Sequence, residues 1–356
     1  MLTLCVPTKN RAAFVARLLR YYAAVPDAPA LLIGDSSDPE PAGQVQEAVR
    51  RASVSGRLSV QYRACPGLSS CAALEVLSRD VATPYCAFLG DDDFLSPRTL
   101  ARCVEFLETH PDYSAAHGQA VMFQVEGPGV HGPIGTIAAY PQAVTEAPTA
   151  AARLREFFAQ GPKTLLYSVH RAGVWRAMFS GVSALPGTNN SNVFKDEMIP
   201  VCVSLIHGKV AEVPGLSLIH QTHASYRFPH VYDWLTSPVW HPSYEAFRDR
   251  ISQELQRQDR LSSDEAQGVV REVLWGHLVR LVASARRKEL GPGWQPRPVW
   301  QQRLRGIPVV RAVVRQVREA GQRLANPLSL PSLLDPSSRY GGDFKPVYDA
   351  VTSPSS

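Results

Sequence analysis

Tyr85-Cys86-Ala87-Phe88-Leu89-Gly90-Asp91-Asp92-Asp93-Phe94-Leu95 is a short apolar run that stops at a glycine and three successive aspartates. Five apolar residues suit a buried strand and are too few for a buried helix. Thr83-Pro84 closes the segment before it, and Pro97 to Glu108 follows as a helix with proline in its first turn.

The same alternation runs back to the start of the chain. Leu2 to Val6 reads as a buried strand ended by Pro7, and Asn10 is placed to cap a helix from about Arg11 to Ala24. Ala30 to Ile33 and Leu58 to Tyr62 read as strands, Ala42 to Ser53 and Ser69 to Asp80 as helices. This order predicts an α/β fold with a mostly parallel, doubly wound, Rossmann-like sheet. Such sheets bind ligands beyond the carboxyl ends of their strands. Pro7-Thr8-Lys9-Asn10, Asp35 and the three aspartates all fall at that edge.

Downstream, Val121 to Val125 and Leu165 to His170 read as strands. Thr149 to Phe158, Gly173 to Phe179 and Asp196 to His207 read as helices, and Val210 to Ile219 returns to strand. From about residue 240 the pattern is helical: Tyr244 to Arg260, Ser263 to Lys288, and a basic amphipathic helix over 307–325. The expected organisation is an α/β domain over 1–240, divided into halves at 1–110 and 111–240, a helical C-terminal region over 241–326 and an extended tail over 327–356.

The chain has 356 residues, 45% hydrophobic and 19% charged, with a net charge of +5. Twelve Lys and Arg face three acids between residues 268 and 326, a surplus of nine. The remainder is therefore slightly acidic, and the basic region points to an anionic partner. One reading of the helix over 307–325 is peripheral contact with the inner face of a membrane; the other is a packed helix with a solvated basic face. Nucleic acid is not expected, since no recognition motif accompanies the charge. Leu2 to Pro7 lacks the pattern of a secretory leader, and no run approaches the ~20 apolar residues of a membrane span. The expected location is the cytoplasm, with the six cysteines as buried free thiols.

Three adjacent carboxylates repel one another and need a counter-charge. Their oxygens suit Mg²⁺ or Mn²⁺, which in turn can hold a diphosphate. The plainer alternative is a solvated acidic loop ahead of the helix from Pro97. His220 and His223 form His-x-x-His, but lack the helical glutamate of a zinc protease.

Several separated pieces together resemble family 2 glycosyltransferases. They are Val6-Pro7-Thr8-Lys9-Asn10-Arg11, Asp35, Gly67-Leu68-Ser69-Ser70 and Phe88 to Asp93. Tyr167-Ser168-Val169-His170-Arg171 and Lys195-Asp196-Glu197-Met198, with Leu205 to Val210 after it, continue the match. The resemblance covers residues 2 to about 226. It implies a GT-A catalytic domain over 1–240, with 1–110 as the nucleotide-sugar-binding half and 111–240 as the acceptor-side half; the helical pattern after residue 240 adds a C-terminal extension. It also implies an inverting, metal-dependent hexosyltransferase acting on a nucleotide sugar, UDP-linked by preference, in polysaccharide or glycolipid synthesis. The acceptor would be a hydroxyl of a glycan or lipid-linked glycan.

On that resemblance Pro7, Thr8, Asn10, Arg11, Asp35, Gly67, Ser69, Asp91 and Asp92 bind the donor. Asp93, within the Asp-x-Asp pattern, and His223 hold Mn²⁺ or Mg²⁺, and Asp196 or Glu197 is the general base. Two departures stand out: Cys71-Ala72 replaces an Arg-Asn pair common in the family, and the acidic pair reads Asp-Glu rather than Glu-Asp. The alternatives are a nucleotidyltransferase, which would need a Gly-rich basic loop after the first strand, and an inactive sugar-nucleotide-binding scaffold.

Overall fold

Side chains alternate across a strand, so a strand covered on both faces is apolar throughout. In β1 (Leu2–Thr8), Leu4 and Val6 enter one apolar cluster while Cys5 enters the other. β2 (Ala30–Asp35) repeats this with Leu31 and Ile33 against Leu32. The computed structural model describes residues 1–54, 56–127, 129–161, 163–186, 193–223, 230–289 and 328–353.

The first half winds as the alternation predicts: α1 (Ala12–Ala24), α2 (Pro39–Val54), β3 (Val60–Ala64), α3 (Ser70–Asp80) and β4 (Tyr85–Phe88). β1 lies between β2 and β4, β3 lies outside β2, and all these pairings are parallel. The three strand ends Thr8, Asp35 and Leu89 therefore sit side by side.

The second half brings β5 (Phe94–Leu95), α4 (Pro97–Thr109), β6 (Tyr113–Val125), β7 (Ile134–Ala139) and α5 (Ala150–Ala159). Then come β8 (Val169–Arg171), α6 (Ala172–Phe179), α7 (Ile199–His207) and β9 (Lys209–Gln221). Among the described residues nine strands form one sheet in the order β3-β2-β1-β4-β8-β6-β9-β5, with β7 paired to β6. β8 is antiparallel to both β4 and β6, whereas β6 and β9 run parallel. The helices α8 (Val231–Leu235), α9 (Trp240–Asp259) and α10 (Ser263–Glu289) follow. Apolar residues of α9 and α10, including Phe247, Leu255, Val270 and Leu274, complete the cluster that covers the Cys5 face.

The structure departs from the sequence reading at several places. Of the expected Leu165 to His170 strand only Val169 and His170 are extended, in β8, because a turn from Leu165 to Ser168 precedes them. The expected helix from Asp196 opens with a π-helical turn, Phe194–Met198, in which the Ile199 amide bonds back to Phe194. Pro200 has no amide hydrogen to give Asp196, which disfavours an ordinary helical start there. Asn10 does not cap α1: it adopts a left-handed conformation (φ 56°), and Arg11 occupies the capping position without a side-chain cap. The tail expected to be extended contains α11 (Leu330–Leu334) and α12 (Gly341–Thr352). Phe344, Val347 and Val351 of α12 are buried in the cluster on the Leu4 face, an amphipathic pattern masked in sequence by the surrounding prolines and serines. The polar loop 187–192 and the basic helix over 307–325 lie outside the described residues. Among the described residues no helix is long and apolar enough to cross a membrane.

Candidate active site

The aspartates are placed by two strand pairings. β4 delivers them beside the end of β1. The antiparallel register of β5 on β9, Phe94 opposite Ile219, then sets Asp93 against His220. Gly90 is required by the tightness of this turn: a Cβ there would lie 2.5 Å from Asp93 Oδ2.

The three carboxylates face different ways. Asp93 is 1% exposed and its oxygens are occupied. Oδ1 accepts from the Gln221 amide at 2.8 Å and pairs with His220 Nδ1 at 2.9 Å; Oδ2 accepts from the Tyr167 hydroxyl at 2.5 Å. Burial works most strongly against the His220 proton, but the charge and hydrogen bond of Asp93, with the Asp92 charge, together outweigh it and raise the imidazole pKa. Tyr140 stacks on the His220 ring.

Asp91 accepts from the Thr8 hydroxyl at 2.7 Å and from Arg11 Nη1 at 2.6 Å. Burial and the neighbouring Asp92 charge raise its pKa, with Arg11 opposing them. Asp92 is more open. Its Oδ2 takes Arg11 Nη2 at 2.7 Å and lies 2.8 Å from His223 Nε2. Burial would raise its pKa, but His223 and Arg11 prevail and keep it low. Arg11 thus supplies the counter-charge that adjacent carboxylates need, with its guanidinium 4.2 Å from the Phe14 ring centre. Beneath them Arg17, 1% exposed, donates Nη2 to the Asp92 carbonyl at 2.8 Å.

A divalent cation can be tested against this donor set. Hard cations such as Mg²⁺ take oxygen ligands at about 2.1 Å in octahedral geometry, so adjacent ligands lie about 3 Å apart. Asp92 Oδ2 and His223 Nε2, 2.8 Å apart, match that spacing, and their side chains are 13% and 28% exposed. Asp93 offers no comparable opening. Among the described residues no three His, Cys, Asp or Glu side chains gather into a metal cage. A pair of protein ligands leaves the other positions to water and phosphate, the usual arrangement for Mg²⁺.

Of the other expected donor residues, Pro7 and Thr8 end β1, and Asn10 ties that end to the next one. Its side chain exchanges hydrogen bonds with Asp38, and its amide donates to Ser37 Oγ. Asp35, 2% exposed, accepts from the Ser37 amide at 2.9 Å and the Tyr62 hydroxyl at 3.1 Å. Gly67 and Ser69 lie past β3, farther along the same edge. Gly67 turns the chain at φ 71°, and Ser69 caps α3 by accepting from the Ala72 amide. Asp196 and Glu197 ride on the π turn, which meets the start of α3 where Cys71 Sγ donates to the Lys195 carbonyl at 3.4 Å. Burial, then the charge of Asp196, raises the Glu197 pKa.

The sequence reading left out Arg17 and the bond from Tyr167 to Asp93. Arg17 precedes Leu18 and Leu19, and a charge beside apolar helix positions was its only signal.

No protein-family model matches the sequence, and no curated protein matches it. Among solved structures, S. aureus TarS aligns at a TM-score of 0.49 and 15% identity, over 77% of this chain and 42% of that one. The chain therefore spans less than half of that protein. A mannosyltransferase from Pyrobaculum calidifontis, PcManGT, in complex with GDP-Man and Mn²⁺, aligns at 0.43 and 14% identity, over 82% of this chain and 81% of that one. Glucosyl-3-phosphoglycerate synthase from Mycobacterium tuberculosis aligns at 0.37 and 15% identity, over 73% and 80%.

Proposed function

We propose that the chain is a GT-A-type glycosyltransferase that moves a hexosyl group from a nucleotide sugar to an acceptor hydroxyl with inversion. The observation that carries this reading is the convergence of Thr8, Arg11, Asp91, Asp92 and His223 at adjoining strand ends. There Asp92 and His223 make a cation-sized pair, and Asp35 offers a buried carboxylate on the neighbouring strand for ribose or base.

In this reading Asp92 and His223 hold Mn²⁺ or Mg²⁺, while Asp93 fixes the turn that presents them. The cation, when bound, offsets the charge that grows on the departing nucleoside diphosphate. Pro7, Thr8, Asn10 and Asp35 orient the nucleoside, and Asp91 and Arg11 line the diphosphate side. Gly67 and Ser69 shape the far edge of the site. An acceptor hydroxyl is a poor nucleophile, so a carboxylate must take its proton as the new bond forms. Glu197, with its raised pKa, suits that role, and Asp196 beside it is the alternative. Attack on the face opposite the diphosphate inverts the anomeric centre. The proposed acceptor is a glycan or lipid-linked glycan, and UDP is the first nucleotide to try.

A nucleotidyltransferase is disfavoured by Pro7-Thr8-Lys9-Asn10, which is not the Gly-rich basic loop such enzymes use after the first strand. The test is release of UDP or GDP from a panel of nucleotide sugars offered with glycan acceptors, with the product anomer read by NMR. Transfer with inversion, reduced at least 100-fold in Glu197→Gln or Asp196→Asn, supports the proposal. Nucleotide-sugar binding without turnover in any pairing would favour the scaffold reading.

A further inference from the structure

Arg17 reaches in two directions from α1. Nη2 donates to the Asp92 carbonyl at 2.8 Å, and Nη1 donates to the Val130 carbonyl at 2.6 Å. Val130 belongs to the connection between β6 and β7, and the next two residues of that connection bond to α12. The Gly132 amide donates to the Val351 carbonyl at 3.1 Å, and His131 Nδ1 lies 3.1 Å from the Ala350 carbonyl. Arg20, one turn along α1, holds the other ring nitrogen of His131 at 2.9 Å. Arginine can only donate, so that nitrogen accepts and Nδ1 carries the hydrogen given to Ala350.

α12 is itself anchored at both ends. Near its start Asp343, 3% exposed, accepts from Ser96 Oγ at 2.6 Å just past β5. Near its end Val347 and Val351 are buried in the same apolar cluster as Leu18 and Tyr22 of α1, the helix it packs against. Hydrogen bonds at either end of the Val130-His131-Gly132 backbone therefore link Ala350 and Val351, through Arg17, to the backbone of Asp92, roughly 260 positions earlier in sequence.

We propose that this C-terminal helix is a working part of the donor site, setting Asp92 through His131, Val130 and Arg17. The inference rests on the reading of Asp92 as a metal-facing residue. Arg17 is a positioning residue here: it touches the backbone of Asp92, not the ligand. A planar fork is needed because one group must span two carbonyls; a lysine ammonium keeps the charge but not the span. Groups that orient a metal ligand from behind typically change metal affinity by about 10–100-fold when altered.

The experiment is calorimetric titration of Mn²⁺ in the presence of UDP, and separately of GDP. It uses the full-length wild type, Arg17→Lys, His131→Ala and the double variant, with thermal melts alongside. Arg17→Lys should weaken Mn²⁺ binding about tenfold. His131→Ala, at a part-exposed position that leaves the core intact, should weaken it about threefold. The double variant should be no weaker than Arg17→Lys alone, because both act along one path; independent effects would multiply. Wild-type affinity in both single variants, or multiplied losses in the double, overturns the relay while leaving the donor site standing. A wild type that takes up no Mn²⁺ with either nucleotide overturns the donor-site reading itself.

Discussion

Tyr167 donates its hydroxyl to Asp93 Oδ2 at 2.5 Å, joining the turn before β8 to the acidic end of β4. Both residues are buried, so the bond is made where water cannot replace it. Tyr167→Phe should cost about 1–3 kcal/mol of stability, the range for a buried acceptor losing a donor. Thermal or urea unfolding reads this directly. Asp93→Ala should cost more, because it also strands His220 and the Gln221 amide. If Asp93 instead served only to ligate a metal, both variants would melt close to wild type.

Asp92→Asn and His223→Ala should differ from these in what they do to metal binding. Asp92 is 13% exposed and pairs with Arg11 and His223, so Asp92→Asn should cost about 1–3 kcal/mol, whereas His223→Ala, at a 28% exposed position, should cost about 1 kcal/mol or less. Mn²⁺ affinity should fall at least tenfold in each. Calorimetry paired with thermal melts separates the two effects, and unchanged Mn²⁺ affinity in both would contradict the ligand assignment.

Arg11 holds Asp92 Oδ2 at 2.7 Å, the same oxygen a cation would use. Without nucleotide, guanidinium and cation compete for it. Arg11→Met should therefore tighten Mn²⁺ binding to the nucleotide-free protein several-fold, since removing a nearby unit charge is worth about 1 kcal/mol even in water-like surroundings. Weaker binding would mean that Arg11 chiefly arranges the carboxylates for the metal.

His170 gives a pH signature remote from the site. It is fully buried between the Leu165 carbonyl and Ser204, and burial lowers its pKa from 6.5 to about 4. Between those values the unfolded chain binds the proton and the folded chain does not, so stability rises with pH across that window. Acidification from pH 6.5 towards 4 should remove roughly 3 kcal/mol through this group, with no further loss from it below that. In His170→Gln, the fall in stability over pH 6.5 to 4 should be shallower than in wild type; an unchanged slope would rule His170 out as its source.

The sequence was most informative where one period repeats. β1 to α4 show apolar runs of strand length alternating with helical spacing, and burial on both faces of the sheet makes those runs continuous. It was least informative where tertiary pairing assigns roles. Nothing local tells Asp91, Asp92 and Asp93 apart; the register of Phe94 on Ile219 does, by turning Asp93 inward. Asn10 looked like a helix cap because caps and loop ties favour the same residue types. α12 was hidden among prolines and serines, and only the sheet it covers reveals its apolar side.

The decisive measurement is titration of UDP and GDP into the purified protein with and without Mn²⁺, using Asp92→Asn as control. One nucleotide should bind, its binding should depend on Mn²⁺, and Asp92→Asn should abolish that dependence while still unfolding cooperatively. Failure of both nucleotides to bind in either condition, or equal metal-dependent binding in Asp92→Asn, would contradict the donor-site reading.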